Sequence, residues 1–373
     1  MRAKQKKRRL FFLDKIFLWL SIGFGLALLV CYLAPVTDPR TFWPVAFFGL
    51  GYLPLLLVNF CLLLYWLIRR SRYILVPLLC IGLGWNILRD NVGLRTKKHQ
   101  NTGSNAIKVM TYNAHNFKPY GQQVNDPVTK KRMLQLISAQ NPDIIGIDEF
   151  YTRRRGEYAI KDSMKKLMHS DECYVEPFSF NTDHEAMGMA IFSKFPVVNK
   201  GIIMLSTEPN SSNQCIFVDV KKGDKTFRYY NVHLQSIRFD PIDYEYLSRV
   251  SKKGKPDVSS SRRIGSKLKR AFIKRSEQVV KIKAHAAQCP YPYIIAGDFN
   301  DTPASYAVAQ MTKGLKNTFR EKGVGFARTY NGSFPNFQID YILVNSSFDV
   351  ADYYTLRKKL SDHYPVCSTL LLK

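Results

Sequence analysis

Acidic residues are scarce in this sequence: 29 Asp and Glu stand against 55 Lys and Arg, a formal net charge of +26. The imbalance points to an anionic partner or substrate, without separating nucleic acid from a membrane headgroup. Cysteine is also sparse, seven in 373 residues, with no CxxC pair and no Cys/His cluster, which excludes a zinc ribbon and a thioredoxin-type site. Cys173, Cys215, Cys289 and Cys367 leave one or two disulfides and unpaired buried thiols equally open. Tryptophan occurs four times, and Trp19, Trp43, Trp66 and Trp85 all fall in the first quarter. With 46% hydrophobic and 13% aromatic residues, a disordered chain is excluded.

Charge is missing altogether from Ile16 to Thr37, Thr41 to Ile68 and Tyr73 to Leu88. Roughly 20 apolar residues cross a bilayer core as a helix, so the first two windows are long enough. The third crosses only with its ends drawn in, or stays half-inserted. The tryptophans lie mostly near window ends, as interfacial aromatics do. Three transmembrane helices are predicted, at about 16–36, 43–68 and 73–89. A cleaved leader is disfavoured because a second apolar window follows at once. Ten Lys and Arg on one side against five on the other predict a cytoplasmic basic arm over 1–15. The chain after the third crossing is then extracytoplasmic, periplasmic if the cell is Gram-negative, and the lipid bilayer is an expected partner.

Arg89 to Asn105 is polar, with Gly93, Gly103 and Ser104, and reads as a linker. Residues 106–373 form a separate domain that is itself +14. Ile107 to Asn113 reads as a strand, and Asp126-Pro127 as an N-cap followed by proline at the first helical position. That helix stops at Asn141-Pro142. Asp143 to Ile147, Met189 to Phe192, Cys215 to Val220, Phe227 to His233, Tyr293 to Gly297, Gln338 to Val344 and Val366 to Leu372 read as further strands. Lys222-Gly223-Asp224 makes a hairpin turn, and a helix runs from about Arg262 to Ala287. The expected fold class is α+β: two packed, mostly antiparallel sheets flanked by helices, a four-layer sandwich preceded by the transmembrane helices.

Polar residues gather at the strand ends: Asn113; Asp148-Glu149; His233; Asp298 and Asn300; Asp340; Asp362-His363. Singly each has a structural explanation as a cap, a turn or a satisfied core group. Together they offer the oxygen-rich ligands that a hard divalent cation takes. Met110-Thr111-Tyr112-Asn113, Ile147-Asp148-Glu149, Asn231-Val232-His233-Leu234, Gly297-Asp298-Phe299-Asn300, Ile339-Asp340-Tyr341 and Ser361-Asp362-His363 resemble, in order, the motif set of the endonuclease/exonuclease/phosphatase superfamily.

The resemblance implies a metal-dependent phosphoric ester hydrolase. Glu149, Asn113 and Asp362 would hold Mg²⁺ or Mn²⁺. Asp298 would activate the attacking water and Asn300 would hydrogen-bond the phosphate. His363, fixed by Asp340, would stabilise charge on phosphorus or relay a proton, and His233 would contact another phosphate oxygen. His115 stands where several nucleases of the superfamily carry Asp, and is a candidate substrate contact together with Arg275. Many members have Gln where this sequence has Asp148, which is expected at the surface rather than on the metal.

Between Arg249 and Lys283, 13 Lys and Arg face only Asp257 and Glu277. The stretch reads as a flexible loop around Lys252 to Ser261 and then a helix with a solvated basic face, or as an attractor for an anionic polymer or lipid surface. Expected substrates are an anionic phosphoester, a lipid or glycolipid phosphodiester ahead of nucleic acid or a soluble phosphomonoester. A catalytically silent binding module is the alternative of another class.

Overall fold

The computed structural model describes residues 11–94, 103, 105–119, 124–181, 185–208, 211–332 and 337–373. The expected basic arm up to residue 10 and most of the expected linker lie outside them. The chain divides into two compact units, one of the residues up to Leu88 with Ala304–Tyr306, the other of Arg89–Pro303 and Ala307–Lys373.

The first unit contains α1 (Phe12–Cys31), α2 (Pro39–Phe42), α3 (Pro44–Leu50), α4 (Tyr52–Ile68), α5 (Leu75–Leu83) and the start of α6 (Trp85–Asn91). Only α1, among the described residues, is by itself long and apolar enough to cross a membrane. The second and third windows, expected as continuous helices, are broken: α3 and α4 meet at 62°, and the Arg72–Leu83 segment meets α6 at 66°. Glycine marks each break, Gly51 and Gly84, and Pro54 and Pro77 near the starts of α4 and α5 cannot donate a helical hydrogen bond to the preceding turn. Polar groups pin α1 to α4. Trp66 Nε1 donates to Ser21 Oγ at 2.8 Å, Asn59 Nδ2 to the Phe24 carbonyl at 3.0 Å, and Arg69 pairs with Asp14 at 2.8 Å. Trp19, Leu57, Leu79 and Leu83 are exposed.

The second unit runs β1 (Val92–Leu94), β2 (Ala106–Asn113), α7 (Pro127–Gln140), β3 (Ile144–Arg153), α8 (Ile160–Met168), β4 (Cys173–Phe180), β5 (Glu185–Ser193), β6 (Val197–Met204), β7 (Gln214–Lys222) and β8 (Lys225–His233). It continues with α9 (Pro241–Lys253), α10 (Val258–Ala287), β9 (Tyr293–Asp298), α11 (Tyr306–Thr312), β10 (Lys316–Asn317), α12 (Thr318–Lys322), β11 (Val324–Phe326), β12 (Asp340–Val344), β13 (Phe348–Thr355) and β14 (Val366–Leu372). Two six-stranded sheets result, ordered β10-β12-β9-β8-β7-β6 and β13-β14-β2-β3-β5-β4. Alternation along each strand sorts side chains into two layers of core. Ile107 and Val109 of β2 meet Ile216, Val218 and Ile294 between the sheets. Met110 and Tyr112, one residue out of phase, meet Met133 and Ile137 of α7. On the opposite outer face Ile295 and Tyr341 pack on Val279 and Ile282 of α10. Burial on both faces is why these strands read as continuous apolar runs, each large side chain contributing about 1.5–3 kcal/mol.

Both sheets are mixed. β2 and β3 are parallel, linked by α7, and β8 and β9 are parallel, linked by α9 and α10; the remaining pairs are antiparallel. Within the expected linker Val92–Leu94 form β1, which pairs with β11, Val92 opposite Phe326. The segment expected as a flexible loop is mostly helical: α9 extends to Lys253, capped by Gly254 at φ 62°, and α10 begins at Val258. Buried Asp243 ties the two helices together through Arg263 at 2.7 Å and Lys267 at 2.6 Å. The Lys222 to Asp224 turn joins β7 to β8 as expected, with Gly223 at φ 63°. All seven cysteines are free thiols.

Candidate active site

Each parallel pair presents the C-terminal ends of two adjacent strands side by side, the place where α/β architectures gather their chemistry. Asn113 of β2 lies opposite Asp148 of β3, and His233 of β8 lies opposite Asp298 of β9. β12 starts at the same edge, with Asp340 opposite Asp298. β3 is bulged between Ile147 and Phe150, with Glu149 at φ 49°. A bulge bends its strand and re-aims side chains. Asp148 is turned inward between the sheets, and Glu149 reaches Asn113 and His115.

Asp148 is fully buried, which corrects its expected surface position. Its Oδ1 accepts from Asn231 Nδ2 at 2.9 Å and its Oδ2 from the Asp298 backbone N–H at 3.0 Å, so it ties β3 to β8 and β9 behind the site. Burial pushes its carboxyl well above the ordinary range, and the Asp298 charge adds to the push. Asp148 keeps the inter-sheet face of Ile144, and the phase changes only after it, where Phe150 joins Ile145 and Ile147 on the α7 side.

Asp298 is the hub. Its Oδ2 lies 3.7 Å from Nε2 of both His233 and His363. The Nδ1 of His363 lies 3.1 and 3.0 Å from the two Asp340 oxygens. Asp298, Asp340 and His363 bring one ligand atom each within 4.8 Å of one another, a spacing that suits a proton relay as well as an ion. Burial pushes Asp298 up to about 6 against the pull of His363, with Asp340 adding to the push. Burial would lower His363, but the Asp340 and Asp298 charges hold it well above the usual imidazole range, that is, as an imidazolium. Tyr330, which the motifs do not mark, meets the His363 ring edge-on at 5.4 Å and 76°.

The geometry revises two expected roles. Asn300, at φ 53°, donates its backbone N–H to Asp298 Oδ1 at 2.8 Å. Its amide nitrogen donates to the Leu234 carbonyl at 3.0 Å and to Asp298 Oδ2 at 3.2 Å. Both amide hydrogens are engaged, so Asn300 orients Asp298 instead of reaching out to a phosphate. Arg275, expected at the substrate, is 1% exposed. It donates to the Asn300 carbonyl and pairs with Asp301 Oδ2 at 3.1 Å, supporting the loop from behind.

A second cluster adjoins the hub. Asn113 Nδ2 lies 3.2 Å from Glu149 Oε1 and 3.2 Å from Asp298 Oδ2, while its Oδ1 accepts the His115 N–H at 3.1 Å. A backbone N–H can only donate, so the amide oxygen must face it and the nitrogen must face the carboxylates. Asn113 thus links the two clusters as a donor, while its oxygen accepts the His115 N–H. His115 Nδ1 stands 3.6 Å from Glu149 Oε2 and 3.7 Å from Asp362 Oδ1. Burial would raise Glu149, but His115, His233 and His363 together hold it at about 2. Glu149 and Asp362, each beside His115, are hard oxygen donors of the kind a divalent cation takes.

Known proteins share this architecture. A family model described as the Endonuclease/Exonuclease/phosphatase family matches residues 110–363, and one described as a domain of unknown function matches residues 14–91. No curated protein matches significantly. An endonuclease/exonuclease/phosphatase from Beutenbergia cavernae is similar at 19% identity and TM-score 0.50, covering 72% of each chain. One from Bacteroides vulgatus gives 16% and 0.51, covering 72% of this chain and 99% of its own. The human Nocturnin catalytic domain, solved with bound sulfate, gives 15% and 0.50, covering 72% of this chain and 95% of its own. The sandwich is thus shared with solved structures and the matched motifs span most of the sequence, so this chain belongs to the endonuclease/exonuclease/phosphatase family.

Proposed function

We propose that this chain is a membrane-anchored, metal-dependent phosphodiesterase. Family members are hydrolases acting on phosphoesters. The observation that carries the reading is Asp298 held between His233 and His363, with Asp340 on the far nitrogen of His363, beside the Glu149/Asp362 carboxylates. Asp298 accepts the proton of the attacking water. Asn113 and Asn300 keep its carboxylate aimed, and Asp148 fixes its backbone. His363, charged and oriented by Asp340, donates to a phosphoryl oxygen as charge develops there, and His233 contacts a second oxygen. Glu149 and Asp362 would hold Mg²⁺ or Mn²⁺, which supplies offsetting positive charge at the phosphoryl group when bound.

The apolar first unit supports anchorage, with α1 and the two bent helix pairs as three crossings. An N-terminus in the cytoplasm then leaves the catalytic unit outside. A reporter active only in an oxidising exterior, fused after Lys373, should be active; activity of a cytoplasm-only reporter at that position would reverse the topology.

A catalytic unit held at a bilayer meets lipid-borne phosphodiesters at far higher effective concentration than soluble ones, so a lipid or glycolipid phosphodiester is the favoured substrate. The full chain in liposomes should release a phosphorylated headgroup, and a chain shortened to begin at Arg89, which keeps β1, should do so much more slowly. Equal cleavage of DNA by both, with no headgroup released, would make it a nuclease. Inactivity of both on every phosphoester would leave a binding module.

A further inference from the structure

We propose that Gln214 is a substrate-binding residue of this site, and that together with Nδ1 of His233 it reads a hydroxyl on one of the two groups esterified to phosphorus. The inference rests on the phosphodiesterase reading and names the kind of headgroup such a site accepts.

Gln214, which no motif marks, stands in the same row as the catalytic side chains. Ile216 and Val218 of β7, Tyr229 of β8, Ala296 of β9 and Ile342 of β12 lie in the core between the sheets. Counting in twos keeps to one face of a strand and ends, at the catalytic edge, on Gln214, His233, Asp298 and Asp340. The register sets them side by side: Gln214 opposite His233, His233 opposite Asp298, and Asp298 opposite Asp340. Directly opposite side chains on one face start about 4.5–5.5 Å apart. Gln214 therefore extends the row on the side of His233 away from Asp298. Its backbone is held from behind. Asn213 Nδ2 donates to the Leu234 carbonyl at 2.9 Å, and Asn300 Nδ2 donates to the same oxygen at 3.0 Å, so the start of β7 and the loop that aims Asp298 hang on one acceptor.

The unmet polar atoms identify what binds there. Gln214 is 4% exposed, as is His363, yet Gln214 Oε1 and His233 Nδ1 have no hydrogen-bond partner among the described residues. Buried polar groups are almost always satisfied, so two unmet ones on adjacent strands beside the reacting centre mark groups kept for a ligand. His233 Nε2 lies toward Asp298, 3.7 Å from its Oδ2, which leaves Nδ1 as the second polar atom of the ring. An amide carries both a donor and an acceptor, and a ring nitrogen is one or the other according to tautomer. A hydroxyl both donates and accepts, and answers either arrangement. A phosphoryl oxygen only accepts, and a quaternary ammonium does neither. The favoured headgroup is therefore a polyol, such as glycerol, inositol or a sugar, rather than choline.

The test compares phosphatidylglycerol with phosphatidylpropanol, matched in charge and differing only in the headgroup hydroxyls, in liposomes carrying the full chain with Mn²⁺. Attraction of the basic chain to the two surfaces is then equal. In the parent, kcat/KM should favour phosphatidylglycerol by roughly tenfold or more, since a site built to bond a hydroxyl rejects the analogue that lacks it. In Gln214→Met, which keeps the length of the side chain but offers no amide, the ratio should fall toward one. Gln214→Asn draws the amide back by one methylene and should lower the ratio as well, which covers a Met variant that fails to fold. A role in folding alone would slow both substrates together and leave the ratio standing. That result, or a ratio near one in the parent, overturns the proposal. Bis(p-nitrophenyl) phosphate, which has no hydroxyl, separates the two levels. If the parent cleaves it without discriminating between the lipids, only the hydroxyl site is wrong; if the parent cleaves none of the three, the phosphodiesterase reading falls and this inference with it.

Discussion

Asp298→Asn should lower kcat on bis(p-nitrophenyl) phosphate by about 10²–10⁴-fold at saturating Mn²⁺, the usual worth of a positioned general base. The asparagine keeps the shape of the side chain and can still accept the Asn300 N–H, but it cannot take a proton. His363→Ala should fall in the same range, since it removes the charged donor that Asp340 holds 3.0 Å away. The parent enzyme adds a check through pH. Asp298 must be ionised to act, and burial pushes it up to about 6, so kcat should drop as pH falls through that value. The drop should vanish from the residual activity of Asp298→Asn. Undiminished turnover in either variant would remove the proposed chemistry.

Arg275→Met should destabilise the catalytic unit by about 3–5 kcal/mol, the cost of stranding one member of a buried ion pair. Asp301 Oδ2 would lose its partner at 3.1 Å and the Asn300 carbonyl would lose its donor. The midpoint of urea denaturation, followed on the full chain in detergent, reads the effect. Arg275→Lys should recover part of it, because the charge returns without the planar fork that serves two acceptors. An unchanged midpoint in Arg275→Met would mean that the pair contributes nothing net.

The sandwich was largely legible in the residue pattern because its strands are buried on both faces and bounded by turn residues. Ile107 to Asn113, the Asp126-Pro127 helix start and the Lys222 to Asp224 hairpin appear where local pattern puts them. α9 was hidden by its polarity: only Asp243 and Tyr246 of its 13 residues are buried, too few to make a periodic apolar stripe. The half-buried strand β4 and the largely solvent-facing β6 escaped for the same reason. The breaks at Gly51 and Gly84 were missed because absence of charge measures hydropathy, not helix continuity.

The sequence by itself determined which residue types the site would contain, since a strand's last residue lies at the sheet edge whatever surrounds it. Only the tertiary structure decided what each one does. Asn113 is a donor because its oxygen meets the His115 N–H, Asn300 orients Asp298 because both its amide hydrogens are engaged, and Arg275 is sealed beneath the site. Asp148 is an internal tie because the facing sheet brings Asn231 and the Asp298 N–H to it as donors. Hydrogen-bond roles depend on partners brought from far along the chain, 185 residues for Asn113 and Asp298, and no local pattern encodes which of two carboxylates, or which end of an amide, will meet.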